Sequence, residues 1–227
     1  MTDTSSLSVF STRTVGDIAA TLPGATAVFR KHKLDFCCGG DVPLREAAAN
    51  RGVDIAAIET ALAALDGGGA APAATDTVSL IAHIVARYHQ THRRELPELI
   101  RLARRVEAVH RDHPRVPAGL GDALETMSGE LEEHMLKEEG MLFPLMLQAG
   151  HPILMHPIAQ MRHDHDDHGD AIRRVEQITG GFALPADACR SWQALNTGTA
   201  KLTADLMEHI HLENNVLFPR FSVPPSA

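Results

Sequence analysis

Apolar residues recur every three to four positions along most of the chain, which is the period of an amphipathic helix. The spacing is clear near the N-terminus in residues 15–22 and again in residues 55–65. No stretch shows the sustained alternation of apolar and polar residues that a half-buried strand requires. The pattern therefore predicts an all-α protein.

Glycine, proline and polar residues divide this pattern into segments. Residues 1–13 are predicted to be disordered, and residues 14–65 to form a small helical module. Residues 66–77 are rich in glycine and alanine and have the composition of a flexible linker. Residues 78–221 contain long helices with short connections, which favours an up-down-up-down four-helix bundle. Its helices are expected at about residues 78–110, 119–148, 157–179 and 185–217.

The bundle segment contains one motif twice. Residues 134–144 and 209–219 both follow the pattern His-x-x-x-Glu-x-x-x-Leu-Phe-Pro. Residues four apart lie one above the other on a helix face. Each copy therefore presents an imidazole beside a carboxylate, as a metal site requires.

A further histidine precedes each copy. His89 lies upstream of the first copy, and His165 lies at nearly the same offset upstream of the second. If each copy contributes two helices, the core receives one histidine from every helix and one glutamate from the second helix of each pair. The predicted metal ligands are His89, His134, Glu138, His165, His209 and Glu213.

The donor atoms of this set indicate which metal it holds. Structural zinc prefers four ligands, often cysteine, and calcium and magnesium prefer an all-oxygen shell. Histidine and carboxylate together in a bundle core are typical of iron or manganese. Six ligands in two equivalent halves indicate two metal ions. If both carboxylates bridge, each octahedral ion keeps one position for a shared oxo or hydroxo bridge and one open position for a small ligand.

Three carboxylates are candidates for a supporting role around the ligands. Glu130 precedes His134 by four residues, and Asp205 precedes His209 by four, so each shares a helix face with a ligand. Both could accept the second N–H of an imidazole, or they are ordinary polar residues at the bundle mouth. Asp164, next to a predicted ligand, is expected to line an access path.

Other histidines near the ligands are less specific. His92 and His168 follow two ligands by three residues, and a role beside the metal site and a solvent-exposed position are equally compatible with the sequence. His211 is expected to be exposed or to cap the helix.

Two adjacent thiols, Cys37 and Cys38, lie in the turn Asp-Phe-Cys-Cys-Gly-Gly of residues 35–40. They are interpreted either as small buried residues that fill the helical module or as a redox or iron-handling thiol pair that the adjoining glycines leave approachable. Cys189 stands alone and is predicted to be structural. Three cysteines do not make a disulfide framework.

Charge and hydropathy exclude some partners. The formal net charge of −8 disfavours a nucleic acid or an anionic membrane surface as a partner. No apolar run reaches the ~20 residues that cross a bilayer, and the first residues lack the segments of a secretory signal. We therefore expect a cytoplasmic protein that binds neither nucleic acid nor membranes.

The paired motifs resemble the hemerythrin-like bundle, although oxygen-carrying hemerythrin uses five His, one Glu and one Asp, and here four His and two Glu are found. With the turn at residues 35–40, the chain is similar over about residues 14–221 to the iron–sulfur cluster repair di-iron family. The resemblance implies that the six predicted ligands hold two iron ions. It also implies a role in restoring clusters damaged by nitric oxide or oxidants, with iron–sulfur proteins as clients.

Several functions stay open on the sequence. Repair could proceed by iron donation, by redox chemistry on nitric oxide or oxygen at the open position, or by both, so an enzymatic activity is not settled. A hemerythrin-like module that binds or senses oxygen or nitric oxide is the alternative, and a metal store or zinc-stabilised bundle is a third. The vicinal cysteines favour repair, since a simple binder does not need them. A homodimer is expected from the resemblance alone.

Overall fold

The computed structural model describes residues 8–66, 76–148 and 154–221. These residues are almost entirely helical, and within them the isolated pairing of Thr14 with Pro43 is the sole β-type bridge. The predicted all-α class is confirmed. The chain contacts define two compact units, one formed by Met1–Leu80 with Met207–Ala227 and the other by Ile81–Leu206.

The N-terminal part of the first unit is a set of short helices whose starts follow local capping rules. Thr14 Oγ1 accepts the Asp17 N–H at 3.2 Å, and Asp54 Oδ1 accepts the Ala56 N–H at 3.0 Å. Such caps satisfy backbone donors that a helix start leaves unpaired. The helices are α1 (Ser8–Ser11), α2 (Val15–Thr21), α3 (Ala25–Lys31), α4 (Leu44–Arg51) and α5 (Ile55–Asp66).

The start of the chain differs from the prediction of disorder over residues 1–13. Residues 1–7 lie outside the described residues, but residues 8–11 form α1. The reason is Phe10, which is buried in the apolar core of the module. Of the predicted linker, residues 67–75 lie outside the described residues.

The core of the first unit joins residues from both ends of the chain. Met207 packs against it from the C-terminal stretch, which the sequence assigned to the bundle alone. The core consists of large apolar side chains that are almost fully removed from water, among them Val15, Ile18, Phe29, Leu34, Phe36, Leu44, Ile58 and Leu62. Burial of this apolar surface is the main stabilising term for so small a module.

Two glycines of this unit are required by the close approach of one amide side chain. Asn215 Nδ2 donates to the Phe36 carbonyl oxygen at 3.0 Å. A Cβ on Gly16 would lie 2.6 Å from Asn215 Oδ1, and a Cβ on Gly40 would lie 2.5 Å from the same atom. Any side chain at either position would therefore displace the amide.

The second unit is built from the long helices. The fourth predicted helix begins at Arg190 instead of near residue 185, because Pro185 and Ala188 close a turn through the Ala188 N–H at 3.1 Å. After α5, the helical elements of the chain in order are α6 (Thr77–Ile84), a π-helical turn (Val85–His89), α7 (Gln90–Val109), α8 (Leu120–Lys137), a π-helical turn (Glu138–Leu142), α9 (Phe143–Leu147), α10 (Met155–Ile178) and α11 (Arg190–His211), followed by a π-helical turn (Leu212–Leu217) and a 3₁₀ turn (Phe218–Phe221). Of these, residues 77–80 and 207–221 belong to the first unit.

Contacts between side chains define the helix directions in this unit. Arg93 pairs with Glu132, whereas Arg104, farther along α7, pairs with Glu125, earlier in α8. The two helices are therefore antiparallel, as the short connection predicts. Helices α7 and α11 show the same reversed order through Glu95 with Lys201, Leu99 with Gly198 and His110 with Trp192. None of the described helices combines the length and the apolar content needed to span a bilayer.

Gly16→Ala tests the close approach of Asn215. Alanine normally stabilises a helix interior by about 1 kcal/mol relative to glycine, but here its Cβ meets the amide and a backbone oxygen, so we expect a net loss of about 1–3 kcal/mol. The free energy of unfolding is measured in urea. Gly129→Ala in α8 is the matched control, since its Cβ meets nothing within 4 Å, and it should be stabilising. Equal gains in both variants would contradict the packing described above.

Candidate metal centre

Four predicted ligands of the Ile81–Leu206 unit lie close together, with Glu138 between His89 on one side and His134 and His165 on the other. Glu138 Oε2 lies 3.4 Å from His89 Nε2 and 3.4 Å from His134 Nε2. His165 Nε2 lies 3.1 Å from His134 Nε2. None of the four residues exposes more than 1% of its surface. They come from the π-helical turn before α7, the end of α8, the π-helical turn after α8, and the middle of α10.

The spacing of these donor atoms fits a metal ion. Metal–nitrogen and metal–oxygen bonds of about 2.0–2.2 Å place neighbouring ligand atoms about 2.9–3.5 Å apart. The ligand atoms of His134, Glu138 and His165 lie within 4.8 Å of one another, and the closest pairs fall inside that interval. A carboxylate held at zero exposure among imidazoles is otherwise costly. The residues present therefore fit a His/Glu-bound metal.

The other two predicted ligands form a second group, in the C-terminal stretch of the first unit. His209 Nε2 lies 3.2 Å from Glu213 Oε1, and the two residues are 1% and 0% exposed. The two side chains lie on the same helix face, as their i, i+4 spacing predicts. All six predicted ligands are buried, and the structure brings four of them together in one unit and two in the other.

The π-helical turns coincide with the ligands. His89, Glu138 and Glu213 each lie in one of the three π-helical turns named above. Such turns are rare and are frequent at functional sites. The sequence analysis treated these stretches as regular α-helix and missed them.

Proline lies two residues beyond the end of two of these turns. Pro144 and Pro219 close the two copies of the repeated motif. Proline has no N–H and leaves the carbonyl four residues earlier without its helical partner. Those carbonyls belong to Gly140 and Asn215, which lie inside the π-helical turns. The repeated Leu-Phe-Pro was therefore the signal that could have located them.

A carboxylate outside the predicted set orients His89. His89 Nδ1 donates to Glu139 Oε1 at 2.7 Å, and Arg93 Nη1 donates to the same oxygen at 2.7 Å. Burial raises the pKa of Glu139, but the hydrogen bonds from Arg93 and His89 outweigh it, and the net shift is downward. Glu139 is therefore a carboxylate at neutral pH, and it holds Nε2 of His89 toward the cluster.

Asp164 occupies the matching place beside His134. Its Oδ2 lies 3.4 Å from His134 Nδ1 and 3.4 Å from Lys137 Nζ, and Gln160 Nε2 donates to its Oδ1 at 2.8 Å. Burial raises the pKa of Asp164, but the contacts with Gln160, His134 and Lys137 lower it by more, so the net shift is downward. Asp164 thus has both a ligand contact and the half-buried position expected of an access path.

The remaining supporting candidates lie elsewhere. Glu130 is exposed, and it is Asp164 that contacts His134. Asp205 forms ion pairs with Arg87 at 2.8 Å and Lys201 at 2.8 Å. Glu139 was missed because the sequence search looked four residues before each histidine, whereas Glu139 reaches His89 from another helix.

Three neighbouring histidines are buried. His92 and His168 are 0% and 3% exposed, which excludes the solvent-exposed alternative. His211, expected to be exposed or capping, is also buried, and its ring meets the Phe36 ring at 5.6 Å. Burial lowers the pKa of His211. The prediction was wrong because this helix face packs against the N-terminal module.

A cavity of about 680 Å³ opens beside the His134 group, within the Ile81–Leu206 unit. His134, His168 and Asp164 lie in its wall. Most of its other charged lining residues are acidic, namely Glu130, Glu133, Asp167 and Asp170. The basic ones are Lys137, Arg173 and Arg174. The cavity thus joins solvent to a predicted ligand along a path that attracts cations.

The vicinal thiols lie in a tightly held turn of the first unit. Cys37 is buried and Cys38 is half-buried, and their sulfurs are 3.7 Å apart. Asn214 Nδ2 donates to the Cys37 carbonyl oxygen at 2.9 Å. A hydrogen bond with Cys38, together with burial, raises the pKa of the Cys37 thiol well above its usual value. The thiol of Cys37 is therefore protonated at neutral pH.

Two family models match the chain. Residues 80–221 match the Hemerythrin HHE cation binding domain. Residues 11–66 match ScdA_N, described as a Domain of Unknown function (DUF542). These matches define a hemerythrin-type cation-binding protein with an additional N-terminal domain.

Curated relatives match along nearly the whole length. The Iron-sulfur cluster repair protein YtfE of Dickeya chrysanthemi is 44% identical over 211 residues, which cover 92% of this chain and 96% of the relative. YtfE of Escherichia coli is 44% identical over 211 residues, covering 91% and 94%. The Probable iron-sulfur cluster repair protein of Haemophilus influenzae is 41% identical over 216 residues, covering 93% and 97%. The chain therefore belongs to the hemerythrin HHE family and, within it, to the iron–sulfur cluster repair proteins, which confirms the predicted resemblance.

Glu139→Gln tests the orientation of His89. Loss of the carboxylate weakens its hold on the imidazole, and such outer contacts are worth about 10–100-fold in metal affinity. Affinity is measured by competition with a chromogenic chelator. Glu132→Gln is the matched control. Glu132 and Glu139 both pair with Arg93, but of these two carboxylates it is Glu139 that forms the hydrogen bond with His89. The control should retain the metal affinity of the parent. An equal loss of metal affinity in both variants would mean that the effect comes from the lost ion pair with Arg93 and not from the contact with His89.

Proposed function

We propose that this chain is a non-haem di-iron protein that repairs iron–sulfur clusters damaged by nitrosative or oxidative stress. The observation that carries the proposal is the convergence of His89, His134, Glu138 and His165 at essentially zero exposure. The printed names of the relatives, which describe iron–sulfur cluster repair, support the same function. Their coverage of this chain makes the comparison apply to both of its domains.

The proposed ligands are the six residues derived from the repeated motif: His89, His134, Glu138, His165, His209 and Glu213. In this proposal these side chains would hold two iron ions, with Glu138 and Glu213 as the carboxylates that could bridge them beside an oxo or hydroxo group. The support is the identical motif in both copies and the burial of every member. Iron held in this way supplies a redox-active centre and an open coordination position for a small ligand such as nitric oxide or oxygen.

The side chains around the proposed ligands orient the imidazole rings and limit the access of water. Glu139 and Asp164 fix the ring orientation of His89 and His134, so the inward nitrogen is the unprotonated one. The apolar wall provided by Phe143, whose ring lies 5.9 Å from that of His89, excludes water on one side. These contacts keep the donor atoms in place when a metal ion leaves or returns.

The acidic cavity beside His134 suits iron exchange with a client. Carboxylates at its wall attract a divalent cation, and Asp164 is shared between the cavity and the ligand. Iron donation to a damaged iron–sulfur protein is therefore the route that this geometry favours, and nitric oxide chemistry at the open position is compatible with it. The proposed setting is the cytoplasm, where such clients are assembled.

Repair is tested with an anaerobic assay in which a [4Fe–4S] dehydratase, inactivated by nitric oxide, is incubated with the full chain. Glu138→Gln should lose iron and abolish recovery of dehydratase activity, because the amide cannot supply the bridging charge. Glu125→Gln, an exposed residue of α8 outside the cavity wall, should repair like the parent. Recovery with iron-free Glu138→Gln would overturn the proposal. A parent that binds nitric oxide or oxygen without restoring activity would make the chain a binding or sensing module.

A further inference from the structure

A second group of metal-binding side chains lies outside the His/Glu cluster. Cys37 Sγ is 3.7 Å from Cys38 Sγ and 3.4 Å from Asp35 Oδ1. The three side chains offer ligand atoms that all lie within 4.8 Å of one another. The sulfurs are too far apart for a disulfide, which requires about 2.05 Å.

These separations match the edges of a tetrahedral site. Metal–sulfur bonds of about 2.3 Å at the tetrahedral angle place two sulfurs about 3.8 Å apart. With a metal–oxygen bond of about 2.1 Å, the sulfur–oxygen edge is about 3.6 Å. The observed separations of 3.7 and 3.4 Å lie within a few tenths of these values.

The turn is also held in this arrangement before any ion binds. Asp35 Oδ1 accepts the Cys38 N–H at 2.9 Å and the Gly39 N–H at 3.1 Å, which fixes the carboxylate beside the sulfurs. From the other side, Asn214 and Asn215 hold the carbonyls of residues 37 and 36 at 2.9 and 3.0 Å. A pre-arranged ligand set loses little entropy on binding.

We propose that Asp35, Cys37 and Cys38 form a binding site for one divalent, thiolate-preferring transition-metal ion such as zinc or ferrous iron. The ion binds two thiolates and one carboxylate, and the two thiol protons pass to solvent. Three protein ligands leave the fourth tetrahedral position for water or for an outside donor atom, as in open zinc sites. Cys38 is half-buried, so that position is within reach of solvent. The site requires neither the di-iron centre nor the repair function.

Cobalt(II) is the probe that distinguishes this site, because thiolate bonds to cobalt give a near-ultraviolet charge-transfer band that His/Glu ligands do not. The full chain, with its own metals, is kept reduced and oxygen-free and titrated with cobalt(II), and difference spectra are recorded. We expect the thiolate band to saturate at one cobalt per chain. Absence of the band at one equivalent would overturn the proposal.

Three variants assign the band to residues. Cys38→Ala should remove it. Asp35→Asn retains the oxygen that accepts the two N–H groups, so the turn persists, but loss of the charge should weaken cobalt affinity by about tenfold or more. Cys189→Ser is the control, since Cys189 is an exposed thiol 3.2 Å from His110 Nε2, and the band should remain. Unchanged affinity in Asp35→Asn, or loss of the band in Cys189→Ser, would refute the three-ligand site.

Discussion

The charge of Glu138 is the constraint on which the rest of the Ile81–Leu206 unit depends. A carboxylate at zero exposure, 3.4 Å from each of two imidazole Nε2 atoms, loses several kcal/mol of hydration. A bound metal cation would compensate that charge and would also accept the nitrogen lone pairs, whereas a hydrogen bond serves one group at a time. The outward nitrogens of His89 and His134 face Glu139 and Asp164, and these two carboxylates fix the direction of the imidazole rings.

That the predicted ligands of each copy would be buried beside one another could be anticipated, because their spacing has a physical meaning. Imidazole and carboxylate four residues apart share a helix face, and the repeat supplies two such faces. The local backbone was not predictable by that argument. The π-helical turns at Glu138 and Glu213 coincide with the proline that ends each motif, which withdraws a hydrogen bond from the preceding turn, whereas the π-helical turn at His89 has no proline directly after it. Glu139 was missed because it meets His89 across two helices, and periodicity along one helix carries no information about such pairs.

The amino-acid composition indicates a linker after the N-terminal module, but it does not indicate which distant segments pack against that module. The predicted linker, residues 66–77, lies near the gap between the stretches that the two family models match, residues 11–66 and 80–221. It gave no sign that Met207–Ala227 would join the module in one compact unit. Asn214 and Asn215 directly follow Glu213 and bond the carbonyls of the thiol turn. The proposed metal ligand Glu213 and the two asparagines that hold the cysteine turn thus lie on one helical turn, a link that neither stretch reveals by itself.

We propose that buried His and Glu side chains of this chain bind a pair of iron ions. Metal analysis of anaerobically purified full chain, combined with Mössbauer spectroscopy of protein enriched in ⁵⁷Fe, can decide whether they do. We expect two irons per chain with the spectrum of a magnetically coupled pair. One zinc ion per chain, or a single uncoupled iron, would show that no such pair is bound.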